Sequence, residues 1–198
     1  MPEYIVRARK APTDAGLFVK AIGSAARVEY LAQIMTNCLF VSKGHRRDTT
    51  LTLVLEDSTD FSRALSLNGD SLGSLHDHTE AGMLKVIVES LAGTANLSKE
   101  ASVSLDNGIE VQAISFEHLV KLRLEAHPVY LLDKKGEDIR SVPLADDAIF
   151  LLTDHIPMPR KTFKSLRRQG VNNLSLGPIM LHTSQCVVLI QNEYDRQF

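Results

Sequence analysis

The sequence predicts an α/β fold with a largely parallel sheet flanked by helices. Predicted strands alternate with predicted helices, as in parallel sheets joined by helical crossovers. Two strands, "PVYLLD" (residues 128–133) and "AIFLLTD" (residues 148–154), are apolar on both faces, which indicates a sheet covered on both sides. The chain has 198 residues, of which 44% are hydrophobic and 23% charged, enough for one domain with a substantial core.

The first half of the chain contributes two strands and two helices to this prediction. "EYIVRAR" (residues 3–9) and "TTLTLVLE" (residues 49–56) alternate with period two, which is typical of strands. From Arg27 onward the pattern becomes helical, and "AGMLKVIVESL" (residues 81–91) predicts a helix of about three turns. The first helix places five apolar side chains on one face: Val28, Leu31, Met35, Cys38 and Leu39.

The middle of the chain predicts a hairpin and a short helix. Residues 101–113 read as short strands around the turn Asp106-Asn107-Gly108, because an Asn-Gly pair is a strong hairpin signal. A helix follows over residues 115–124, with Ser115 as its N-terminal cap.

The last third is the most regular. A helix over residues 159–170 begins with Pro159 and ends with Gly170, the asymmetry expected of helix ends. A third short strand, residues 172–178, is stopped by Gly177-Pro178. The final helix, residues 183–195, is predicted to turn four side chains inward: Cys186, Leu189, Ile190 and Tyr194.

Composition excludes several classes of protein. No apolar run reaches the roughly 18 residues of a membrane span, and the first ten residues carry no hydrophobic signal core. Cys38 and Cys186 form no CxxC pair, so we expect a cytoplasmic protein with free thiols. The net charge of −2 argues against a generally basic surface, so nucleic acid would be met by two local clusters, residues 42–48 and 159–170.

Common cofactor motifs are absent. The chain has no GxGxxG after a strand, no phosphate-binding GxxxxGK[ST] loop and no GxSxG nucleophile turn. "HDH" at residues 76–78 lacks a third ligand at zinc-like spacing, so we predict no metal site.

Three segments together carry a resemblance to a known family. "YIVRARKAPTDAG" (residues 4–16), "ARVEYLAQIMTNCLFVSKGHRRDTTLTLVL" (residues 26–55) and "LSLGPIMLHTSQCVVLIQNEYD" (residues 174–195) are similar to the TrmY family. Members of that family are SPOUT-class RNA methyltransferases that methylate N1 of pseudouridine in archaeal tRNA. The similarity runs over nearly the whole chain.

The resemblance implies one SPOUT domain over residues 1–198, with a C-terminal trefoil knot, and a homodimer. It also implies that S-adenosylmethionine binds to the backbone of three loops. One loop follows residues 128–133, the second spans 153–159 and the third spans 175–181. The implied cofactor-binding residues are Leu132, Thr153, Leu176, Gly177, Leu181 and Cys186. Gly177 would let the backbone approach the ligand closely, and the leucines would sandwich its adenine ring.

Two segments depart from the family pattern. The second loop reads Thr153-Asp154-His155-Ile156-Pro157, without the glycines that usually flank Asp-His. Residues 75–82 also differ from the archaeal pattern, which leaves the identity of the RNA substrate open.

The expected chemistry needs a proton acceptor and cationic contacts to RNA. Because N1 of pseudouridine carries a hydrogen, Asp48 is the candidate acceptor, with pairing to a neighbouring arginine as its alternative. The candidate RNA-binding residues are Arg27, Arg46, Arg47, Arg160, Lys164 and Arg167, for which a solvated surface is the alternative.

Alternative interpretations remain open for the role of Cys186 and for the function of the protein. Cys186 can line the cofactor pocket or be a plain core thiol, whereas a nucleophilic role is disfavoured because N-methylation needs no covalent enzyme intermediate. The leading function is a pseudouridine methyltransferase of tRNA. The alternatives are a methyltransferase of another RNA nucleotide and a non-catalytic RNA-binding dimer.

Overall fold

A central β-sheet with helices on both faces organises the chain in the computed structural model, which describes residues 1–73, 75 and 77–198. The elements, in chain order, are β1 (Glu3–Pro12), α1 (Ala15–Ala21), α2 (Glu29–Leu39), β2 (Phe40–Val41), β3 (Gly44–His45), β4 (Thr50–Asp57), β5 (Arg63–Asn68), α3 (Glu80–Ala92), β6 (Ser102–Ser104), β7 (Ile109–Gln112), α4 (Phe116–Leu124), β8 (Val129–Asp138), β9 (Ile149–Thr153), α5 (Arg160–Arg168), β10 (Asn172–Ser175) and α6 (Thr183–Gln197).

The central sheet has eight strands in the order β10-β8-β9-β1-β4-β5-β7-β6. The first five of these are mutually parallel, and β5, β7 and β6 continue the sheet in antiparallel pairs. The predicted α/β class is therefore confirmed, and its parallel part contains every strand of the last third of the chain. Strands β2 and β3 form a separate small hairpin.

Two hydrophobic cores lie on the two faces of the sheet. The larger core packs α1, α2, α3 and α6 against one face, and the smaller packs α4 and α5 against the other. Alternation along β1 shows the division: Tyr4 and Val6 enter the first core, and Ile5 enters the second.

A column of three aromatic rings fixes the register of the parallel strands. Tyr4, Phe150 and Tyr130 occupy paired positions on β1, β9 and β8. Their centroids are 5.5 and 5.7 Å apart in near-parallel stacks. A slip of one residue would turn each ring to the opposite face, so the stack locks the level at which the neighbouring strands end.

Most predicted elements occur close to their predicted positions. The Ser115 side chain accepts a hydrogen bond from the backbone of His118, as expected of an N-cap. Four elements were not predicted, α1, β5 and the two-residue strands β2 and β3, and the predicted helix at Arg27 begins at Glu29 instead. The inward orientation predicted for Leu189 is wrong, since its side chain is 41% exposed and Val187 is buried there.

No helix in the described part of the chain is both long enough and apolar enough to cross a membrane. The trefoil knot implied by the family resemblance stays a prediction.

Strand β8 is interrupted where it faces β10. Leu131 pairs with Asn173, but the next pair along the ladder joins Glu137 to Leu174. Residues 132–136 therefore leave the ladder as a loop within the strand. The strand re-enters at Glu137, and a Cβ atom on the preceding Gly136 would lie 2.6 Å from the Leu174 nitrogen. Only glycine allows the two backbones to approach this closely.

Gly136→Ala should therefore destabilise the protein by about 1–3 kcal/mol, because the added methyl group must displace the β10 backbone. Gly44→Ala is the matched control, since a Cβ there would meet nothing within 4 Å and we expect a change within about 0.5 kcal/mol. Urea unfolding measures both. Equal stability of the two variants would contradict the close approach at Gly136.

Candidate functional site

Three loops meet at one edge of the parallel sheet. They are the loop within β8, residues 132–136 (loop A); the segment after β9, residues 154–159 (loop B); and the segment after β10, residues 176–182 (loop C). Parallel neighbours point their carboxyl ends to the same edge, which is where open α/β sheets bind ligands. The structure thus brings the three loops of the predicted cofactor site together.

Loops A and C are joined through Ser175. Its buried hydroxyl donates to the Lys134 carbonyl at 3.5 Å and accepts from the Gly177 N–H at 3.2 Å. Gly177 has φ of +114°, and the direction in which a Cβ would point is open. This conformation favours glycine, and it leaves room beside the backbone of loop C.

Loops B and C are joined through Thr183, the first residue of α6. Its hydroxyl donates to the carbonyl of Thr153 and lies 3.3 Å from that of Asp154. A hydrogen bond from Asp154 N to Arg7 O, 3.1 Å long, continues the pairing of β9 with β1 into loop B. Loop B is therefore held on both sides.

Tyr30 in the first turn of α2 packs on loops B and C together. Its ring stacks with His155 of loop B at 5.5 Å and with His182 of loop C at 5.8 Å. Three residues earlier, Arg27 adopts φ of +49°, which is rare for a residue with a side chain. The Arg27 carbonyl accepts from Tyr30 N at 3.2 Å, so the exposed predicted RNA contact Arg27 belongs to the same turn as Tyr30.

The leucines predicted to bind the cofactor flank these backbone groups. Leu132, Leu176 and Leu181 are half-buried, and Leu132 and Leu176 pack against the larger core. They surround the three loops with apolar side chains, an environment that suits a flat aromatic ring hydrogen-bonded by backbone groups. Their role in binding a cofactor stays a prediction.

Cys186 is half-buried in the first turns of α6 and packs against the larger core. Burial raises the pKa of its thiol to about 11, so the reactive thiolate is disfavoured at neutral pH. Burial also raises the pKa of Cys38. Neither thiol has the low pKa of a nucleophile.

Asp154 and His155 form a buried pair in loop B. The Asp154 side chain is 4% exposed, and one of its oxygens lies 3.5 Å from His155 Nδ1. Its other oxygen accepts from Ile156 N at 2.8 Å. Burial raises the pKa of the Asp154 carboxyl, although the hydrogen bond from Ile156 and the charges of His155 and Arg9 act in the opposite direction.

Asp48 is the predicted catalytic residue that the structure does not bring to the loops. It precedes Thr50, which lies beside Glu3 and Ile149, whereas Thr153 is level with Val54 at the other end of the strands. At about 3.3 Å per residue, this offset places Asp48 roughly 20 Å from loop B in the same chain. Its side chain is 66% exposed and lies 3.7 Å from Arg46.

Arg46 is already engaged within the chain. Its guanidinium forms a bidentate pair with Asp195 near the end of α6, and this hydrogen-bonded partner raises the pKa of Arg46. The neighbouring Arg47 is exposed. Of the two, Arg47 is the one whose side chain remains available to RNA.

The basic helix α5 keeps its cations in solvent. Its inward side chain is Leu166, and its exposed cations are Arg160, Lys161, Lys164, Arg167 and Arg168. Across residues 1–73, 75 and 77–198, no carboxylate forms an ion pair with any of them. A one-sided, unpaired basic stripe is typical of a nucleic-acid contact.

Two other candidate sites carry little weight. The described residues contain no group of three or more metal-ligating side chains, and His76 of the "HDH" segment lies outside them. A mostly apolar groove of about 340 Å³ lies between α1 and α3 and is lined by residues such as Val19, Ile22 and Leu84. None of its lining residues belongs to the three loops.

Sequence analysis gave no individual role to four residues of the loop cluster, Ser175, Thr183, Tyr30 and His155, although Ser175 and His155 lie in the predicted loops. Ser175 and Thr183 act on carbonyls 41 and 30 residues away, and no sequence spacing encodes such contacts. The sequence could have indicated His155 as a site residue, because it is an ionisable residue that closely follows a buried strand.

Comparison with known proteins gives a consistent result. A protein-family profile described as "Putative SAM-dependent RNA methyltransferase" matches residues 1–198. A Vibrio vulnificus protein named "Putative pseudouridine methyltransferase" is 44% identical over 100% of both chains. A Shewanella frigidimarina protein of the same name is 43% identical over 98% of each.

A solved structure shares the fold. Archaeoglobus fulgidus Nep1, crystallised with S-adenosylhomocysteine, aligns with a TM-score of 0.64 and 12% identity over 99% of this chain and 97% of that one. At this low identity, the alignment establishes the fold alone.

Thr183→Val should lower the free energy of unfolding by about 1–2 kcal/mol, because the carbonyls of Thr153 and Asp154 lose their hydroxyl donor. Thr183→Ser keeps that donor and is the matched control. Chemical denaturation compares the two variants. If valine were tolerated as well as serine, the hydroxyl would not be what holds loop B.

Proposed function

The chain belongs to the family of S-adenosylmethionine-dependent RNA methyltransferases, and on that basis we propose that it methylates N1 of a pseudouridine in RNA. The observation that carries the proposal is full-length identity of 41–44% to relatives named for pseudouridine methylation. Residues 1–198 would act as one domain.

The geometry of the three loops supports cofactor binding there. Backbone N–H and C=O groups of loops A, B and C converge at one edge and are fixed to each other by Ser175 and Thr183. Gly177 leaves open space beside the backbone, and the half-buried Leu132 and Leu176 give it an apolar border. These are the features that hold and desolvate a flat adenine ring. When bound, S-adenosylmethionine supplies an electrophilic methyl group.

The chain's own residues then position the RNA. Arg27 lies beside the loops, and Arg160 at the start of α5 follows loop B directly. Lys164 and Arg167 extend the basic surface along α5. These cations would bind phosphates, which orients the target base without reading sequence. We propose tRNA as the substrate and the cytoplasm as the place of the reaction.

A homodimer fits the exposed apolar surface around loop C. Ile179 and Met180 are 72% and 78% exposed, and Val188 and Leu189 on α6 are more than 40% exposed. Such side chains on adjoining segments are typical of a protein interface. A dimer would also offer a way for Asp48 and Arg47 of one subunit to approach the loops of the other.

The substrate assignment is tested by nucleoside mass spectrometry of RNA from cells with and without the gene. We expect N1-methylpseudouridine in tRNA to disappear on deletion and to return with the wild-type protein. Loss of a methyl group from another nucleotide would replace the substrate assignment. If no methylated nucleoside changed, and the purified protein failed to bind S-adenosylmethionine, a non-catalytic RNA-binding role would be favoured instead.

Leu189→Glu should convert the dimer to a monomer, because a carboxylate would be buried in the interface without a partner. Leu17→Glu is the control, since Leu17 is similarly exposed but lies on α1, a helix that packs against α3 and β1. Sedimentation velocity measures the assembly state of both. A monomeric wild-type protein, or a dimer insensitive to Leu189→Glu, would refute this interface.

A further inference from the structure

The proposed reaction needs a group that removes a proton, and loop B contains one. We propose that His155 is the general base, accepting the N1 proton of pseudouridine through Nε2 while Asp154 orients its ring. This inference rests on the proposed function. It moves the proton acceptor from Asp48 to a residue of the loop cluster itself.

The two nitrogens of His155 lie in different surroundings. Nδ1 is buried without a hydrogen-bond partner and faces the Asp154 carboxylate at 3.5 Å. Nε2 forms no hydrogen bond with any described residue and is not buried, so it reaches solvent. The carboxylate favours the tautomer with hydrogen on Nδ1, which leaves the Nε2 lone pair free to accept a proton.

The pair has the arrangement of a base and its orienting group. The 3.5 Å separation is longer than a hydrogen bond, and such contacts commonly shorten when substrate binds. A carboxylate beside Nδ1 also stabilises the imidazolium that forms on proton uptake. Asp154 is kept from rotating by its hydrogen bond from Ile156 N and by the Asp154 N–H bond to Arg7 O.

Other charged and titratable groups complete the surroundings of His155. Tyr30 from α2 stacks on its ring, and His182 at the start of α6 stacks on the same tyrosine. Arg9 of β1 acts electrostatically on Asp154. Tyr30 is thus a positioning residue: its ring limits the rotation of His155 and aligns it with loop C.

The proton and electrons balance without any further reactant. Nε2 takes the proton from N1, and the N–H bond electrons stay on N1. The N1 lone pair forms the bond to the methyl carbon, and the carbon–sulfur bond electrons remain on sulfur. The products are N1-methylpseudouridine, S-adenosylhomocysteine and a protonated His155, which returns its proton to water.

His155→Asn tests the proposal in single-turnover and steady-state assays with pseudouridine-containing RNA. We expect kcat to fall about 100-fold or more, the usual contribution of a general base. In the wild type, kcat should rise with pH as the base loses its proton, and this rise should vanish in the variant. Calorimetry should show S-adenosylhomocysteine affinity within about threefold of wild type, which separates lost chemistry from a lost cofactor site.

His127→Asn is the matched control. His127 also pairs through Nδ1 with an aspartate, Asp147 at 2.9 Å, but Asp147 precedes β9 and so lies at the opposite edge of the sheet from the loops. This variant should keep wild-type kcat and its pH profile. Tyr30→Phe should retain activity and Tyr30→Leu should lower kcat, because stacking rather than the hydroxyl positions His155.

A kcat for His155→Asn within threefold of wild type, with an unchanged pH profile, would overturn the assignment. A large loss in Asp48→Asn together with a small loss in His155→Asn would return the role to Asp48. If the wild-type protein bound the cofactor but methylated no pseudouridine, the proposed function would fail instead, a result distinct from either of these.

Discussion

The contact from the Thr183 hydroxyl to the carbonyls of Thr153 and Asp154 is the constraint on which the candidate site depends. It joins the end of β9 to the start of α6, elements that neighbour each other at one sheet edge but are 30 residues apart in the chain. With loop B fixed in this way, His155 stacks on Tyr30, and His182 of loop C stacks on the same ring. The site is therefore assembled from backbone groups and held by a few hydroxyls and rings.

The two edges of the parallel sheet have different roles. At the amino edge, charges are paired: Glu3 with Arg123, Arg46 with Asp195 and His127 with Asp147. At the carboxyl edge, Arg7 is paired with Glu56 and Glu117, but His155 Nδ1 lacks a hydrogen bond and the Asp154 carboxyl has a pKa raised by burial. Buried polar groups without a hydrogen-bond partner are tolerated where a bound ligand supplies the missing hydrogen bond. The carboxyl edge is therefore the better candidate for the active site.

The sequence allowed much of the fold to be predicted and little of the site. Period-two runs identified β1 and β4, because side-chain alternation follows directly from strand geometry. Short runs that are apolar on both faces identified β8 and β9. Strand β5 was missed since its apolar residues Ala64, Leu65 and Leu67 form a short run after a polar segment. Helix α1 is only seven residues long, although Asp14 caps it by accepting from Leu17 N.

The site residues whose roles were not predicted from the sequence have one feature in common. Ser175, Thr183 and Tyr30 act on residues distant in the chain, and such contacts follow from three-dimensional packing rather than from spacing. Asp48 shows the converse: its motif drew attention, but topology places it at the other edge of the sheet. The family resemblance indicated which loops to compare, and the sheet register showed that they meet.

Hydrogen–deuterium exchange with and without S-adenosylhomocysteine tests most directly whether these three loops form the cofactor site. The account predicts slower exchange on binding in residues 132–136, 154–159 and 176–183, with no change around the α1–α3 groove lined by Val19, Ile22 and Leu84. Protection confined to that groove, with the three loops unaffected, would contradict it.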